Sequence, residues 1–244
     1  MKRLQSKIRK ACEMYNLIAS GDRIACGVSG GKDSLALLVG LCEYRRYADT
    51  HFDLTAISLD PCFNNKQADY SKITALCENY GIEHVIKRTN LAEIIFDLRK
   101  EKNPCSLCAR MRRGALHDLC KEHLCNKIAL GHHMNDAVET FYMNLFQEGR
   151  IAAFSPISYL SRKELYMIRP LILCEESEIA NAVSRSGLPV LKSNCPMDGV
   201  SERQRTKEFV SQKEREYPGF LNRTFTAMQS GNVSGLGANS ENNG

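Results

Sequence analysis

Residues 23–34 read RIACGVSGGKDS. A short apolar stretch, β-branched in part, runs into a turn with paired glycines. A helical pattern follows at once in KDSLALLVGLCEY, residues 32–44. An apolar strand of this kind is buried. A strand, tight turn and helix in that order is the first unit of a parallel sheet covered by helices. The turn then falls at the carboxyl edge of the sheet, where open α/β folds bind their ligands.

The rest of the chain repeats the alternation. Strands are expected at 52–60, 82–88, 126–132 and 165–171, the last stopped by Pro170. Helices are expected at 67–81, 105–123, 135–149, 175–187, 201–216 and 218–229, with Gly81, Gly149 and Gly187 as stops. The reading is an open, mostly parallel five-stranded α/β sheet with helices on both faces, right-handed connections and a small helical C-terminal extension. It divides into a basic N-terminal helix over 1–22, a nucleotide-binding domain over 23–190, and a loop with helices over 191–229. A tail over 230–244, rich in Gly, Ser and Asn, is expected to be disordered. No internal repeat is visible.

The turn GVSGGKDS carries the strongest chemistry. Gly30 and Gly31 let backbone amides approach phosphate oxygens, Ser29 and Ser34 can donate hydroxyls, and Lys32 adds a point charge. The helix that follows presents unpaired N–H groups and the positive end of its dipole. The turn is not a Walker A loop, because Lys32 is followed by Asp33, and it is not G-x-G-x-x-G. Other strand ends fall on the same edge. Ser58, Leu59 and Asp60 close the second strand; Gly131, His132 and His133 close the fourth. Asp136 opens the next helix, as a helix-start charge or as a magnesium or nucleotide contact.

Eleven cysteines pose the second question. No apolar run has the length of a membrane span, and the basic start MKRLQSKIRKACEMYNLI lacks a signal core. The expected location is the cytoplasm, where paired cysteines point to metal or thiol chemistry rather than disulfides. Cys26, Cys42, Cys77 and Cys174 lie among apolar neighbours and read as core. CSLC, residues 105–108, is different. Its local partners would be His117, Cys120, His123 and Cys125, but one helix covers 105–123. Cys120 would then lie about 18 Å along the axis from Cys108, too far for a zinc finger. The better third ligand is remote: Cys195, in the loop SNCPMDG, has no core role. Three thiolates with no fourth suit a cubane iron–sulfur cluster with one open iron. Zinc, or thiol chemistry by Cys105, Cys108 and Cys195, is the alternative.

The net charge is +5. Basic residues cluster at Lys2, Arg3, Lys7, Arg9 and Lys10, at Arg110, Arg112 and Arg113, and at Arg203, Arg205 and Lys207. Arg110, Arg113, His117 and Lys121 fall along one side of the CxxC helix as a basic face. Beside a chemical motif, such clusters point to nucleic acid, with Arg110, Arg112, Arg113, Arg203 and Arg205 as its contacts.

SGGKDS matches the SGGxDS signature of the PP-loop ATP pyrophosphatases. Together with CSLCARMRRGAL, LGHHMNDAVET, IRPL, NCPMDGVSERQR and YPGFLNRTFTAMQ, all in order, it resembles the tRNA 2-thiocytidine synthetases, the TtcA-type branch of that superfamily. The resemblance spans about residues 7–229. It implies an adenine nucleotide alpha hydrolase-like fold, use of ATP and Mg²⁺, and a 4Fe–4S cluster. It also implies thiolation of a cytidine at position 32 of the tRNA anticodon loop. By position, the cluster ligands would be Cys105, Cys108 and Cys195. The nucleotide site would be Ser29, Gly30, Gly31, Lys32, Asp33 and Ser34 with Ser58, Leu59, Gly131, His132 and Asp136. Lys32, Asp33, Ser34 and the three cysteines would carry the chemistry. AMP transferred to the base oxygen makes it a leaving group, and sulfur replaces it. Electrostatic stabilisation on the phosphates and an unstacked base are then required. The sulfur would come from a donor such as a cysteine desulfurase, and a homodimer is implied by analogy. Two departures stand out. Asn135 occupies a position often acidic in relatives, and residues 154–168 are only loosely similar. Rival readings are thiolation of another base or a non-tRNA substrate, amide formation, and a nucleotide-gated iron–sulfur sensor that binds nucleic acid without modifying it. Cys62, near the expected site, reads as having no role.

Overall fold

The computed structural model describes residues 1–98, 104–192, 194–195 and 202–237. Among them are six strands: β1 (Arg23–Gly27), β2 (Asp53–Asp60), β3 (His84–Arg88), β4 (Lys127–Ala129), β5 (Ile157–Leu160) and β6 (Leu165–Ile168). Eight α-helices accompany them: α1 (Lys2–Met14), α2 (Lys32–Tyr47), α3 (Ser71–Asn79), α4 (Pro104–Glu122), α5 (Met134–Glu148), α6 (Glu176–Arg185), α7 (Glu202–Glu216) and α8 (Phe220–Ser230).

The sheet order is β3-β2-β1-β4-β6-β5, parallel except for the antiparallel β5–β6 pair. The sixth strand corrects the five-strand expectation. β5 is a four-residue, half-exposed edge strand, and the turn that joins it to β6 has no glycine. Glu164 takes the left-handed conformation there (φ 48°), and Lys163 N–H donates to Leu160 O. Tyr159 lies opposite Tyr166, ring centroids 4.8 Å apart, so a cross-strand aromatic pair does the work that turn residues usually do.

The two faces are covered unequally. Leu35, Leu37, Leu38 and Leu41 of α2 are fully buried between the sheet and its neighbours α1 and α6. On the opposite face α4 packs Leu119 and Cys120 against Ile57, Ile128 and Leu165. Cys26, Cys42, Cys77 and Cys174 are buried in the first core as the sequence implies.

α1 packs its apolar side, Leu4, Ile8, Ala11 and Cys12, into that core. Arg3 and Lys7 on its basic side pair with Glu178 of α6, at 2.9 Å and 2.6 Å. The expected disordered tail needs correction up to residue 237. Leu236 is fully buried, and the Tyr15 hydroxyl donates to its carbonyl oxygen at 2.8 Å. Ala153 N–H donates to Ser234 Oγ at 2.9 Å and Ser155 Oγ to Ser234 O at 2.6 Å, so these bonds and Leu236 together anchor a segment whose composition reads as linker. Residues 238–244 lie outside the described residues, as do 196–201 of the motif around Cys195.

β1 sits between β2 and β4, so the chain reverses its direction of growth across β1 and opens a crevice beyond the carboxyl ends of β1 and β4. The glycine turn stands there.

Candidate active site

The turn after β1 is built from inside. Ser34 Oγ donates to Gly31 O at 2.9 Å and accepts from Ser29 N–H at 3.2 Å, tying the start of α2 to the end of the strand. Gly30 has φ +84°, a conformation that favours glycine. A Cβ there would also meet the Leu191 side chain at 2.7 Å, and Leu191 N–H donates to Gly30 O at 2.9 Å. Gly131 lies against the opposite side, where a Cβ would come within 3.0 Å of the Asp33 backbone. The first amides of α2 have no intrahelical acceptors and so face any anion seated on the turn.

Beside the turn lies a cleft of about 400 Å³. Leu59, Leu116 and Leu130 give it an apolar floor, while Ser29, Ser34, Asp33 and Asp136 form its polar end. That combination fits a nucleotide, base on the leucines and phosphates on the turn. Of the expected nucleotide residues, Ser29, Asp33, Ser34, Leu59, Gly131, His132 and Asp136 all line it. Ser58 does not. It is fully buried, donating to Val28 O at 2.7 Å and bonded to His84 Nε2 at 2.8 Å. Since the hydroxyl proton goes to Val28, the ring nitrogen carries the other proton, and Nδ1 accepts from Thr74 Oγ1 at 2.9 Å. Ser58 therefore fastens β2 to β1 and leaves the cleft wall to Leu59.

The charged side chains form one connected network. Lys32 Nζ bonds Asp33 and also Glu176 at the start of α6, each at 3.0 Å. Lys207 of α7 reaches the same Glu176 oxygen at 2.8 Å. Burial opposes the charge on Lys32, yet Asp33 and Glu176 raise its pKa above the ordinary lysine value. Burial likewise opposes ionisation of Glu176, yet Lys207 and Lys32 pull it down to about 2. Because that pKa is depressed, its contribution to stability is present above the ordinary value of 4.5 and is lost as pH falls toward about 2. Glu176→Gln should therefore flatten the acid side of a plot of Tm against pH; an unchanged acid limb would show that this network does not stabilise the fold.

His133 Nε2 lies 3.8 Å from an Asp33 oxygen and 3.5 Å from an Asp136 oxygen, so the two carboxylates flank one point. Asp136 also accepts from His133 N–H at 2.9 Å and pairs with Arg203 at 2.6 Å. Two carboxylates beside a phosphate turn are suitable ligands for Mg²⁺. Burial lowers the pKa of His133, and burial with Arg169 lowers that of His132 to about 4, so both rings are neutral at pH 7. Glu139 is buried nearby, within reach of Arg203. Burial, with Asp136, raises its pKa to about 7 against the pull of Arg203 and Lys207. Asn135, in place of the frequent acid, faces away from this pair: its Oδ1 accepts from Glu176 N–H at 2.9 Å and so caps α6.

The arginines divide. Arg110 is exposed on α4 and Arg205 on α7. Arg112, Arg113 and Arg203 instead line the nucleotide cleft, and Arg203 is held by Asp136 and Glu139. The expected basic face of α4 is likewise divided, because His117 is 7% exposed and Lys121 is paired with Glu164. A helix packed beside a cleft turns toward it charged residues that periodicity alone assigns to solvent.

The cysteines sort by position. Cys120, Cys125 and Cys174 are buried, and burial raises Cys120 and Cys174 to about 12, which makes them inert thiols. Cys105 and Cys195 are partly exposed. Burial raises the pKa of Cys108, Arg112 lowers it through charge and a hydrogen bond, and Cys195 and Cys105 raise it again through their charge. Cys105 and Cys195 thus both act electrostatically on Cys108. Among the described residues no three His, Cys, Asp or Glu side chains converge tightly enough to hold a single metal ion. A cubane cluster is gripped at three corners, so its thiolates stand apart, whereas zinc ligands converge on one ion. Cys195 also lines a second cleft of about 250 Å³, which shares Ser29, Leu59 and Arg112 with the first.

Glu176, Glu139, His133 and Lys207 were absent from the expected site. For Glu176 a signal existed in EESE, a run of acids opening a helix beside a basic turn. Nothing local marks Glu139, whose neighbours are set by α7.

The pattern of the PP-loop domain matches residues 2–213. A tRNA-cytidine(32) 2-sulfurtransferase of Syntrophotalea carbinolica is 40% identical over 238 residues, 95% of this chain and 90% of the relative. The protein of that name from Geobacter metallireducens is 38% identical, over 89% and 85%. Among solved structures, the U34-tRNA thiolase NcsA from Methanococcus maripaludis, with its 4Fe–4S cluster, superposes with a TM-score of 0.74 at 25% identity. The match covers 93% of this chain and 77% of that one.

Proposed function

The chain belongs to the PP-loop family and to the tRNA-cytidine(32) 2-sulfurtransferases, and from that premise we propose how its two clefts divide the reaction. The enzyme uses ATP to thiolate tRNA: AMP passes to the 2-oxygen of cytidine 32, pyrophosphate leaves, and sulfur then replaces the oxygen as AMP departs. The observation that carries this reading is the shared wall. Ser29, Leu59 and Arg112 border both the nucleotide cleft and the cleft that contains Cys195.

Each residue has a task set by its place. Leu59, Leu116 and Leu130 hold the adenine out of water. The turn amides and the start of α2 hold the phosphates, with Asp33 and Asp136 as the carboxylates for Mg²⁺. Lys32 is kept protonated by Asp33 and Glu176, so its charge is available to phosphate oxygens as pyrophosphate separates. Arg112, between the clefts, balances charge on the α-phosphate. Cys105, Cys108 and Cys195 would hold the 4Fe–4S cluster, which supplies a coordination position where sulfur is kept for transfer. Arg110 and Arg205, exposed on α4 and α7, would contact the RNA backbone.

A persulfide from a cysteine desulfurase is the expected sulfur source, with a second thiol as reductant: it takes up the desulfurase cysteine as a disulfide and releases the outer sulfur as sulfide. A homodimer is expected as well, with exposed Phe146 near the end of α5 and Ile151 just after it offering apolar surface. No helix among the described residues is long and apolar enough to cross a membrane. The cytoplasm, where tRNA is modified, is the expected location.

The test is pyrophosphate release by anaerobically purified protein, with and without unmodified tRNA, followed by nucleoside mass spectrometry. Release stimulated by tRNA, together with 2-thiocytidine, is expected. Asp33→Ala should abolish release while leaving the iron content intact. ATP bound without any pyrophosphate released would refute the reading and leave a nucleotide-gated sensor.

A further inference from the structure

We propose that the second cleft receives the cytidine itself, turned out of the anticodon loop, with Lys66 and Lys192 at its mouth holding the flanking phosphates. This rests on the function above and adds where the RNA base binds.

The cleft lies between Arg112 and the loop that follows β2. Its walls include Phe63, Tyr70, Asn194 and Cys195, with Lys66 and Lys192 at the rim. At about 250 Å³ it is at the small end for a ligand site, suited to a pyrimidine nucleoside and not to a metal-bound triphosphate. Each wall matches one feature of that ligand. Phe63 is partly exposed and supplies an aromatic face for stacking, which every base accepts. Asn194 supplies both a donor and an acceptor, as the Watson–Crick edge of cytosine requires. Lys66 and Lys192 are exposed, and neither meets a carboxylate among the described residues. Unpaired cations flanking an aromatic pocket are what a base between two phosphates needs.

The loop is shaped beforehand. Asp60 is 3% exposed, and its two carboxylate oxygens accept Cys62 N–H at 3.0 Å and Ala68 N–H at 2.9 Å. Phe63 is steadied by Phe96, ring centroids 6.1 Å apart. A pocket that need not rearrange before the base enters keeps the ordering cost low.

Position in the reaction supplies the last argument. The base oxygen must reach the α-phosphorus, and the ring carbon must afterwards meet sulfur. A base in this cleft has the nucleotide across the shared wall of Ser29, Leu59 and Arg112, and has Cys195 on its own wall. The nucleotide cleft offers no such approach, since its floor is taken by adenine.

The experiment uses full-length tRNA carrying 5-iodocytidine at position 32, irradiated with the anaerobically prepared holoenzyme and mapped by mass spectrometry. The expected adduct lies at Phe63 or Tyr70. In parallel, Lys66→Glu combined with Lys192→Glu should raise the KM for tRNA at least tenfold while ATP affinity and iron content stay unchanged. An adduct on another surface, no adduct within 63–70, or an unchanged KM would overturn the assignment. If unmodified tRNA gains no 2-thiocytidine at all, the function fails, and the cytidine assignment fails with it, whatever the adduct. Thiolation with an adduct elsewhere defeats the cleft assignment alone.

Discussion

Cys195→Ala, purified without oxygen, should retain its fold and its ATP affinity and lose iron and acid-labile sulfide to background. The reason lies in where the residue stands. Cys195 is partly exposed on a loop, outside both hydrophobic cores, so removing its sulfur leaves no cavity of the kind that destabilises a core. Its charge acts on Cys108, and it lines the cleft beside Arg112. A cluster held at only two corners is labile, so the loss should be close to complete, and thiolation should disappear with it. Iron, sulfide and the visible spectrum are direct readouts. Cys174→Ala is the control. It is fully buried in the core with its thiol pushed up to about 12, so it should lower Tm while leaving iron unchanged. Full iron in Cys195→Ala would remove that residue from the ligand set. Zinc in place of iron in the unaltered protein would remove the cluster altogether.

Gly30→Ala should produce the second large loss, in nucleotide binding. Two independent costs act at one position. A φ of +84° costs an L-residue about 1–2 kcal/mol, and the added methyl would lie 2.7 Å from the Leu191 side chain. Leu191 cannot simply retreat, because its N–H is bonded to Gly30 O. The turn must therefore open, and its amides lose their aim at the phosphates. Loss of a single aligned donor in comparable sites lowers rates by about 10²–10³. Pyrophosphate release should fall at least that far, with ATP affinity measured by calorimetry falling too. Leu191 leads directly into the loop that carries Cys195, so the spectrum of any bound cluster should shift as well. Gly114→Ala is the comparison. It lies on α4 with nothing within 4 Å of an added Cβ, and should leave the turn and ATP affinity unchanged. Gly30→Ala with normal ATP affinity would show that the turn does not bind the phosphates.

Much of the architecture was visible in local sequence. β1, the glycine turn and α2 follow from an apolar run, paired glycines and a helical pattern within some two dozen residues. The core cysteines were visible because their neighbours were apolar. β5 was not, because an edge strand with one solvated face and a turn lacking glycine leaves little trace, and its pairing depends on Tyr159 meeting Tyr166. The packing of residues 230–237 was hidden for a similar reason: Leu236 meets Tyr15, 221 positions away in sequence, and Ser234 meets Ala153 and Ser155.

The sequence by itself determined the chemistry of single segments: a phosphate turn after a strand, two thiols one helical turn apart, and a third thiol with no reason to be in a core. Those properties depend on residues close along the chain. Only the tertiary structure decided which charges serve the site. Arg203 and Lys207 read as part of a basic helix face, yet α7 brings them to Asp136 and Glu176. Ser58 reads as a nucleotide contact, yet β1 and His84 claim its hydroxyl. Side-chain partners of this kind come from elements far apart in sequence, and electrostatic energy depends on their distance and burial in space, which no local pattern encodes.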